Sequence, residues 1–229
     1  EVEVLPATPD AVDAVFAYDS VFITGRGAIV LNQLKPVRAG EPPVLAADLN
    51  RLGVPTIAEL TGDARADGGD MMWLDEQTLG LGRGYRSNVA AHEQLTRILA
   101  AEDVQTVSFD MPHAGGREAV LHLMSVISPL ADDLALVYAP LLPAAFYQML
   151  KAKGIRLVEG DADEFHASNG LSLNVLPTAP HQVIAVAGFP KTAAAMEAAG
   201  CTVRTFEADA LCIACEGGPT CLTRPFLRG

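Results

Sequence analysis

Basic residues are scarce: 16 Lys and Arg stand against 28 Asp and Glu, a formal net charge of −12 at pH 7. A surface of that sign repels phosphate backbones, so nucleic acid is not an expected partner, and a small cationic substrate is favoured. Long apolar runs are missing as well. The nearest, Val120 to Phe146, is broken by His122, Asp132 and Asp133 and falls short of the roughly 18 uninterrupted residues that a membrane span needs, so no membrane partner is expected. The chain opens at Glu1, with neither a basic n-region nor an apolar h-region; nothing points to secretion, and the start reads as cut. Cysteine is sparse and confined. Cys201, Cys212, Cys215 and Cys221 all fall in the last 29 residues, a poor framework for stapling 229, and the expected compartment is a reducing cytoplasm.

What is present is an apolar content of 50%, enough for a sizeable core, in a length that suits one large domain or two small ones; residues 1–229 read as one. Apolar runs come in pairs around short turns. Val15 to Asn32 surrounds Thr24-Gly25-Arg26-Gly27, and Met71 to Leu81 surrounds Asp75-Glu76-Gln77. Leu121 to Ile127 pairs with Leu134 to Tyr138, Leu171 to Leu176 pairs with Gln182 to Val186, and a ragged fifth pair lies in Ala210 to Arg224. Each reads as a hairpin. Between them Pro43 to Leu52, Asn88 to Ala101, Leu142 to Lys153 and Lys191 to Ala199 read as helices, with Asn88 as an N-cap and Val89, Leu95, Ile98 and Leu99 at helical spacing. Gln105 to Phe109 and Ile155 to Val158 follow helices as strands, so the unit is strand, strand, helix, strand.

Polar residues recur with the units. Asp19, Asp70, His122, Asn174 and Cys221 are separated by 51, 52, 52 and 47 residues, a period expected of a propeller-like array. Around one axis such positions converge on a central channel, bringing carboxylates, a proton carrier and a thiol together.

The motifs that carry a family resemblance are Asp13-Ala-Val-Phe-Ala-Tyr-Asp19, Asp67-Gly-Gly-Asp70, Gly84-Tyr-Arg-Ser-Asn88, Leu121-His-Leu123 and Gly217-Gly-Pro-Thr-Cys221. In this order they resemble the guanidine-modifying superfamily, which includes dimethylarginine dimethylaminohydrolase, arginine deiminase and the amidinotransferases. The resemblance runs from about Asp10 to Arg224 and implies the α/β class: a five-bladed α/β propeller, or pentein, with an incomplete N-terminal blade. It implies no cofactor and no metal. Its substrate is a small cationic guanidino compound, and a homodimer stays open as the assembly.

A guanidinium is a planar, resonance-stabilised cation whose carbon water attacks slowly. Its conversion needs carboxylates to fix the plane and a nucleophile stronger than water. The resemblance places Cys221 as that nucleophile and His122 as the proton carrier for both halves of the reaction; a bound cation would lower the thiol pKa. It places Asp67 at the guanidinium and against the histidine, Asp19 as a second guanidinium contact, and Asp70 as a further substrate-binding acid of the same motif. Arg86 and Arg38 match arginines that grip a substrate carboxylate through the planar fork, and Asp13 matches an acid near the substrate amino group. His92, His113, His166 and His181 read as surface or structural.

Two departures bear on the activity. Deiminases and amidinotransferases carry an Asp two residues after the histidine, where this chain has Met124, a thioether that tolerates an alkylated nitrogen. Tyr18 stands where dimethylargininases often have an acid. The expectation is a cysteine hydrolase that passes through a covalent S-alkylthiouronium intermediate, dimethylargininase-like, giving citrulline and an amine. The alternatives are amidinotransferase or arginine deiminase activity on the same scaffold, a non-catalytic guanidine-binding protein, or a Cys-rich zinc module built on Cys212-Ile-Ala-Cys215.

Overall fold

The computed structural model describes residues 2–8, 10–117, 119 and 121–226. One unit is repeated four times, each ending in a three-stranded sheet. In the first, β1 (Val21–Ile23) pairs antiparallel with β2 (Ala28–Val30), α1 (Glu41–Arg51) crosses over, and β3 (Thr56–Glu59) joins β2 in parallel. The second has β4 (Met71–Asp75), β5 (Thr78–Arg83), α2 (Val89–Ala100) and β6 (Gln105–Asp110). The third has β7 (Ile127–Ala131), β8 (Leu134–Val137), α3 (Ala144–Ala152) and β9 (Arg156–Glu159). After the short α4 (Ala162–Ala167), the fourth has β10 (Leu176–Ala179), β11 (Gln182–Val186), α5 (Pro190–Ala198) and β12 (Thr202–Phe206).

The connections explain the pattern. A two-residue loop suffices for an antiparallel pair, whereas a parallel third strand needs a crossover, and the helix supplies it. The hairpins of units two to four share a register shift at the same place, between Trp73 and Asp75, Pro129 and Ala131, and Pro177 and Ala179. In α2 the Asn88 side chain accepts the Ala91 N–H at 3.0 Å, as an N-cap does, and Ala91, Leu95 and Leu99 form the buried stripe. Val89, read from the sequence as part of that stripe, is half exposed: it opens the helix on the solvent side.

Two apolar clusters are shared between units, a third lies within the first unit, and a fourth joins the last unit to the segment that follows it. Leu123, Leu134, Leu136, Phe146 and Val183 belong to a cluster shared by the second, third and fourth units, while Ile29, Leu79, Leu81 and Leu95 join the first to the second. Among the described residues no helix is long and apolar enough to cross a membrane.

Three sequence expectations need correction. Leu121 to Ile127 and Leu171 to Leu176 are not strands: 3-10 turns occupy Leu123–Ser125 and Leu171–Leu173, and the strands begin at Ile127 and Leu176. The leucines are apolar because the turns are buried. The Ala210 to Arg224 region forms no hairpin; a π-helical turn at Asp209–Ile213 leads into an irregular segment. The repeat positions also differ in register. Asp19, Asp70 and Asn174 stand two, one and two residues ahead of the first strand of their units, but His122 stands five ahead, level with Asp67 rather than Asp70. Strands β3 and β12 and helix α4 were not anticipated. β3 and β12 are mostly exposed or half-exposed edge strands, without the continuous apolar run that marks a buried strand.

Candidate active site

Asp67 ends the extended segment before the turn at Gly68–Asp70, and His122 occupies the matching place before the turn at Leu123–Ser125. Arg86 Nε and His122 Nε2 both donate to Asp67 Oδ2, at 2.9 and 3.2 Å. The two glycines make this approach possible. A Cβ on Gly69 would stand 2.6 Å from His122 Nδ1, and one on Gly68 would stand 2.1 Å from the Tyr18 carbonyl. The Asp67 carboxylate is fully buried, and its Oδ1 has no hydrogen-bond partner among the described residues.

Burial works against a charged His122, yet the carboxylates of Asp70, Asp67 and Asp19 outweigh it and raise its pKa to about 9. Burial likewise pushes Asp67 up, but the hydrogen bond and charge of His122, with those of Arg86, bring it below the ordinary carboxylate value. An imidazolium and a carboxylate therefore face each other at neutral pH.

Asp70 is placed differently from the sequence expectation. It is buried beneath the site, where its Oδ2 accepts from Ser87 Oγ at 2.6 Å and its Oδ1 from the Leu123 N–H at 3.0 Å. Ser87 Oγ in turn accepts from the Asp67 N–H at 3.3 Å. Asp70 thus ties the backbones of Asp67 and Leu123 together, and it is this positioning role, not a substrate contact, that its geometry describes. Burial raises its pKa to about 6, against the pull of His122, Ser87 and Leu123. Ser87 escaped the sequence reading because a serine in a turn carries no distinctive signal.

Arg38 is also corrected. Its Nε donates to both Glu41 oxygens at 3.1 and 2.9 Å, its NH1 to Asp19 Oδ2 at 2.9 Å, and its NH2 to the carbonyls of Phe16 and Asp13 at 3.1 and 3.4 Å. A guanidinium spent in this way has no fork left for a substrate carboxylate. It holds Asp19, whose other oxygen accepts the Gly69 N–H at 3.0 Å. The Asp13 side chain is half exposed and lies 4.0 Å from Lys35 Nζ, apart from the Asp67 cluster. Arg86 differs from Arg38: Nε to Asp67 is its one hydrogen bond among the described residues.

Cys221 lies in the irregular segment after the π-helical turn. Its sulfur accepts from Asn174 Nδ2 at 2.9 Å, and its carbonyl accepts from the Tyr18 N–H at 3.2 Å. Burial and the charge of Asp19 raise the thiol pKa to about 11, with Asn174, the Gly218 backbone and Arg38 pulling the other way. No hydrogen bond joins Cys221 to His122 or Asp67; Asp19 connects them, since its charge acts on both the sulfur and the imidazole. The two departures meet in space: Tyr18 Oη donates to Met124 Sδ at 3.1 Å, and the Arg224 guanidinium stacks 3.6 Å above the Tyr18 ring. A cleft of about 240 Å³ is lined by Gly84, Tyr85, Met111, His113 and Leu121; neither Arg86 nor His122 is among its lining residues.

The other histidines are structural where they are buried. His92 bridges Ser108 Oγ at 2.8 Å and the Gly82 carbonyl at 3.2 Å, and burial lowers its pKa to about 4. The zinc module has no counterpart among the described residues. Cys201 and Cys212 pack into different apolar clusters, and no three His, Cys, Asp or Glu side chains are grouped to hold an ion.

No family model matches the chain. The N(G),N(G)-dimethylarginine dimethylaminohydrolase of Pseudomonas aeruginosa is 22% identical over 192 residues, which cover 84% of this chain and 68% of that protein. An uncharacterised Caenorhabditis elegans protein is 26% identical over 128 residues, 53% of this chain and 43% of the relative. Among solved structures, the N-terminal domain of a cyanobacterial arginine dihydrolase superposes with a TM-score of 0.79 at 22% identity, covering 97% of this chain and 80% of that one. The chain has the pentein fold. Other pentein structures agree: an amidinotransferase from Microseira wollei has a TM-score of 0.77 at 16% identity, covering 93% of this chain and 70% of that one. A C249S variant of the Pseudomonas aeruginosa enzyme complexed with citrulline has a TM-score of 0.72 at 21% identity, covering 89% and 72%.

Proposed function

We propose that this chain is a cysteine hydrolase that attacks the guanidinium carbon of an arginine-like substrate, dimethylargininase-like in releasing citrulline and an amine. The observation that carries the reading is Asp67: a fully buried carboxylate with one oxygen fixed by His122 and Arg86 and the other without a donor among the described residues. A buried acceptor left unsatisfied costs about 1–3 kcal/mol, and a guanidinium N–H supplies what it lacks. The likeness to pentein enzymes supports the same chemistry.

In this mechanism Asp67 and Asp19 hold the cationic plane, and its positive charge brings the high thiol pKa of Cys221 down on binding. The thiol proton passes to solvent, and the thiolate adds to the guanidinium carbon. His122, an imidazolium at rest, delivers its proton to the departing amine as the C–N bond breaks, leaving a thiouronium on sulfur. The neutral imidazole then takes a proton from water, which adds to the same carbon; the thiolate leaves, and the hydroxyl proton passes to it or to solvent to give the neutral ureido product and the starting thiol. Met124, paired with Tyr18, adds no acid, which favours an alkylated nitrogen over the deiminase or transferase reading.

We also read the four sheets as four blades of a five-unit ring, with residues 209–226 and 10–20 closing it as a blade without strands. The hydrogen bonds from Gly69 to Asp19, Leu123 to Asp70, Thr220 to Asn174 and Tyr18 to Cys221 support this, because each fastens one unit to another and the last joins the two ends.

The test is a panel of arginine, its methylated forms, agmatine and guanidino acids, with mass spectrometry of the protein. Expected are a ureido product, a covalent adduct on Cys221, and loss of all turnover in Cys221→Ser. No product and no adduct from any member would overturn the proposal.

A further inference from the structure

We infer that Asn174 positions the Cys221 sulfur and stabilises its thiolate, donating an amide N–H to the sulfur while its carbonyl oxygen grips the backbone of the residue before it. The inference rests on the hydrolase reading for the role of Cys221 as nucleophile.

The geometry is a two-sided clamp. Asn174 Nδ2 lies 2.9 Å from Cys221 Sγ, and Asn174 Oδ1 accepts the Thr220 N–H at 3.0 Å. Thr220 Oγ1 donates to the Val175 carbonyl at 2.7 Å, so the start of β10 holds this segment at a third point. Gly218 leaves room for the clamp: a Cβ there would stand 2.6 Å from both the Asn174 carbonyl carbon and its oxygen.

The repeat explains why the residue is an amide. At the related positions Asp19 and Asp70 each use one oxygen to accept a backbone N–H from another unit, as Asn174 does, and the second oxygen to accept from Arg38 or Ser87. In the fourth unit the second atom faces sulfur instead. A carboxylate there would set a negative oxygen against a developing thiolate, whereas an amide keeps the backbone grip and turns a donor toward the sulfur. The charged groups acting on the sulfur are Asp19, which opposes the thiolate, and Arg38, which favours it. Arg38 is already committed to Asp19 and Glu41, which leaves Asn174 as the side-chain donor in direct contact with the sulfur.

The experiment is the second-order rate of Cys221 alkylation by iodoacetamide at pH 7 to 9, followed by peptide mass spectrometry because Cys215 is exposed while Cys221 is half-buried. Asn174→Asp is the decisive variant: it keeps the acceptor for Thr220 and the shape, and removes the donor. Its Cys221 rate is expected to fall about tenfold or more at pH 8, with the melting temperature near wild type. Asn174→Ala is expected to fall comparably and to melt lower, and Asn174→Gln to recover part of the rate. A folded Asn174→Asp protein with an unchanged rate profile would overturn the inference, as would loss of folding in both Asp and Gln variants, which would make the residue purely structural. Alkylation requires no turnover. A slowed Asn174→Asp rate in a protein that converts no guanidino compound would therefore sink the hydrolase reading alone.

Discussion

At the scale of single residues, the site is an arrangement of charges that burial alone would neutralise. His122 illustrates the balance: desolvation favours the neutral ring, and three carboxylates overcome it. Because its folded pKa of about 9 lies above the unfolded value of 6.5, the ion pair contributes stability that is fully present below pH 6.5 and is lost as pH rises through 9. The shift corresponds to at most about 3 kcal/mol. Urea unfolding between pH 6 and 10 is expected to show this loss in the wild type and a flatter profile in His122→Gln. Asp67→Asn removes the neighbouring charge, and the His122 resonance in an NMR titration is expected to move down by more than one unit; an unmoved titration would refute the assignment of Asp67 as its partner. Asp70 runs in the opposite sense for an acid. Its raised pKa means that its ionised form is held at a cost, which Leu123 and Ser87 offset. The fifty-residue period points at Asp70, and only the resemblance sets Asp67 against the histidine, because local spacing locates the turn and not the direction of each side chain in it.

At the scale of elements, periodicity was legible where one face of a regular structure is buried and failed where it is not. The stripe of α2 is Ala91, Leu95 and Leu99, so Leu95→Ala is expected to cost about 2–5 kcal/mol in chemical denaturation, while Val89→Ala stays within about 0.5 kcal/mol. Equal effects at the two positions would contradict this packing. The 3-10 turns before β7 and β10 read as strands because their residues are apolar, whereas the glycines before β4 read as the turn they form. Their purpose is visible only in space: each aims a polar side chain at a neighbouring unit. The Gly68-Gly69 pair shows the same. An alanine methyl at Gly69 would displace the His122 ring, so Gly69→Ala is expected to keep the far-UV circular dichroism while lowering the His122 pKa and reducing turnover by about a hundredfold.

At the scale of the whole molecule, the protein is a chain of similar units joined by two shared apolar clusters, and its two end segments meet where the Tyr18 N–H donates to the Cys221 carbonyl. Arg38 is central to that closure. It binds Asp19 and Glu41 while holding the carbonyls of Asp13 and Phe16, and Phe16 lies against Gly217. Arg38→Ala leaves two buried acids without their cation, and the expected cost is about 3–5 kcal/mol, read as a lower urea midpoint and faster proteolysis within residues 10–20. A variant of wild-type stability with only weakened substrate binding would restore the carboxylate-gripping role that the sequence suggested.

The turns at Asp75-Glu76-Gln77 and Asp132-Asp133, the crossover helices and the thiol at Cys221 were legible in the primary structure, since each rests on local spacing or on one residue's chemistry, whereas the buried turns at Leu123–Ser125 and Leu171–Leu173 read as strands. That His122 and Arg86 share one oxygen of Asp67, that Arg38 is committed to Asp19 and Glu41, and that Asn174 faces the sulfur were decided only by tertiary structure. Those relations, the Glu41 contact aside, join residues from 19 to 55 positions apart, and hydrogen bonds over such separations depend on how turns orient side chains, which no local pattern encodes.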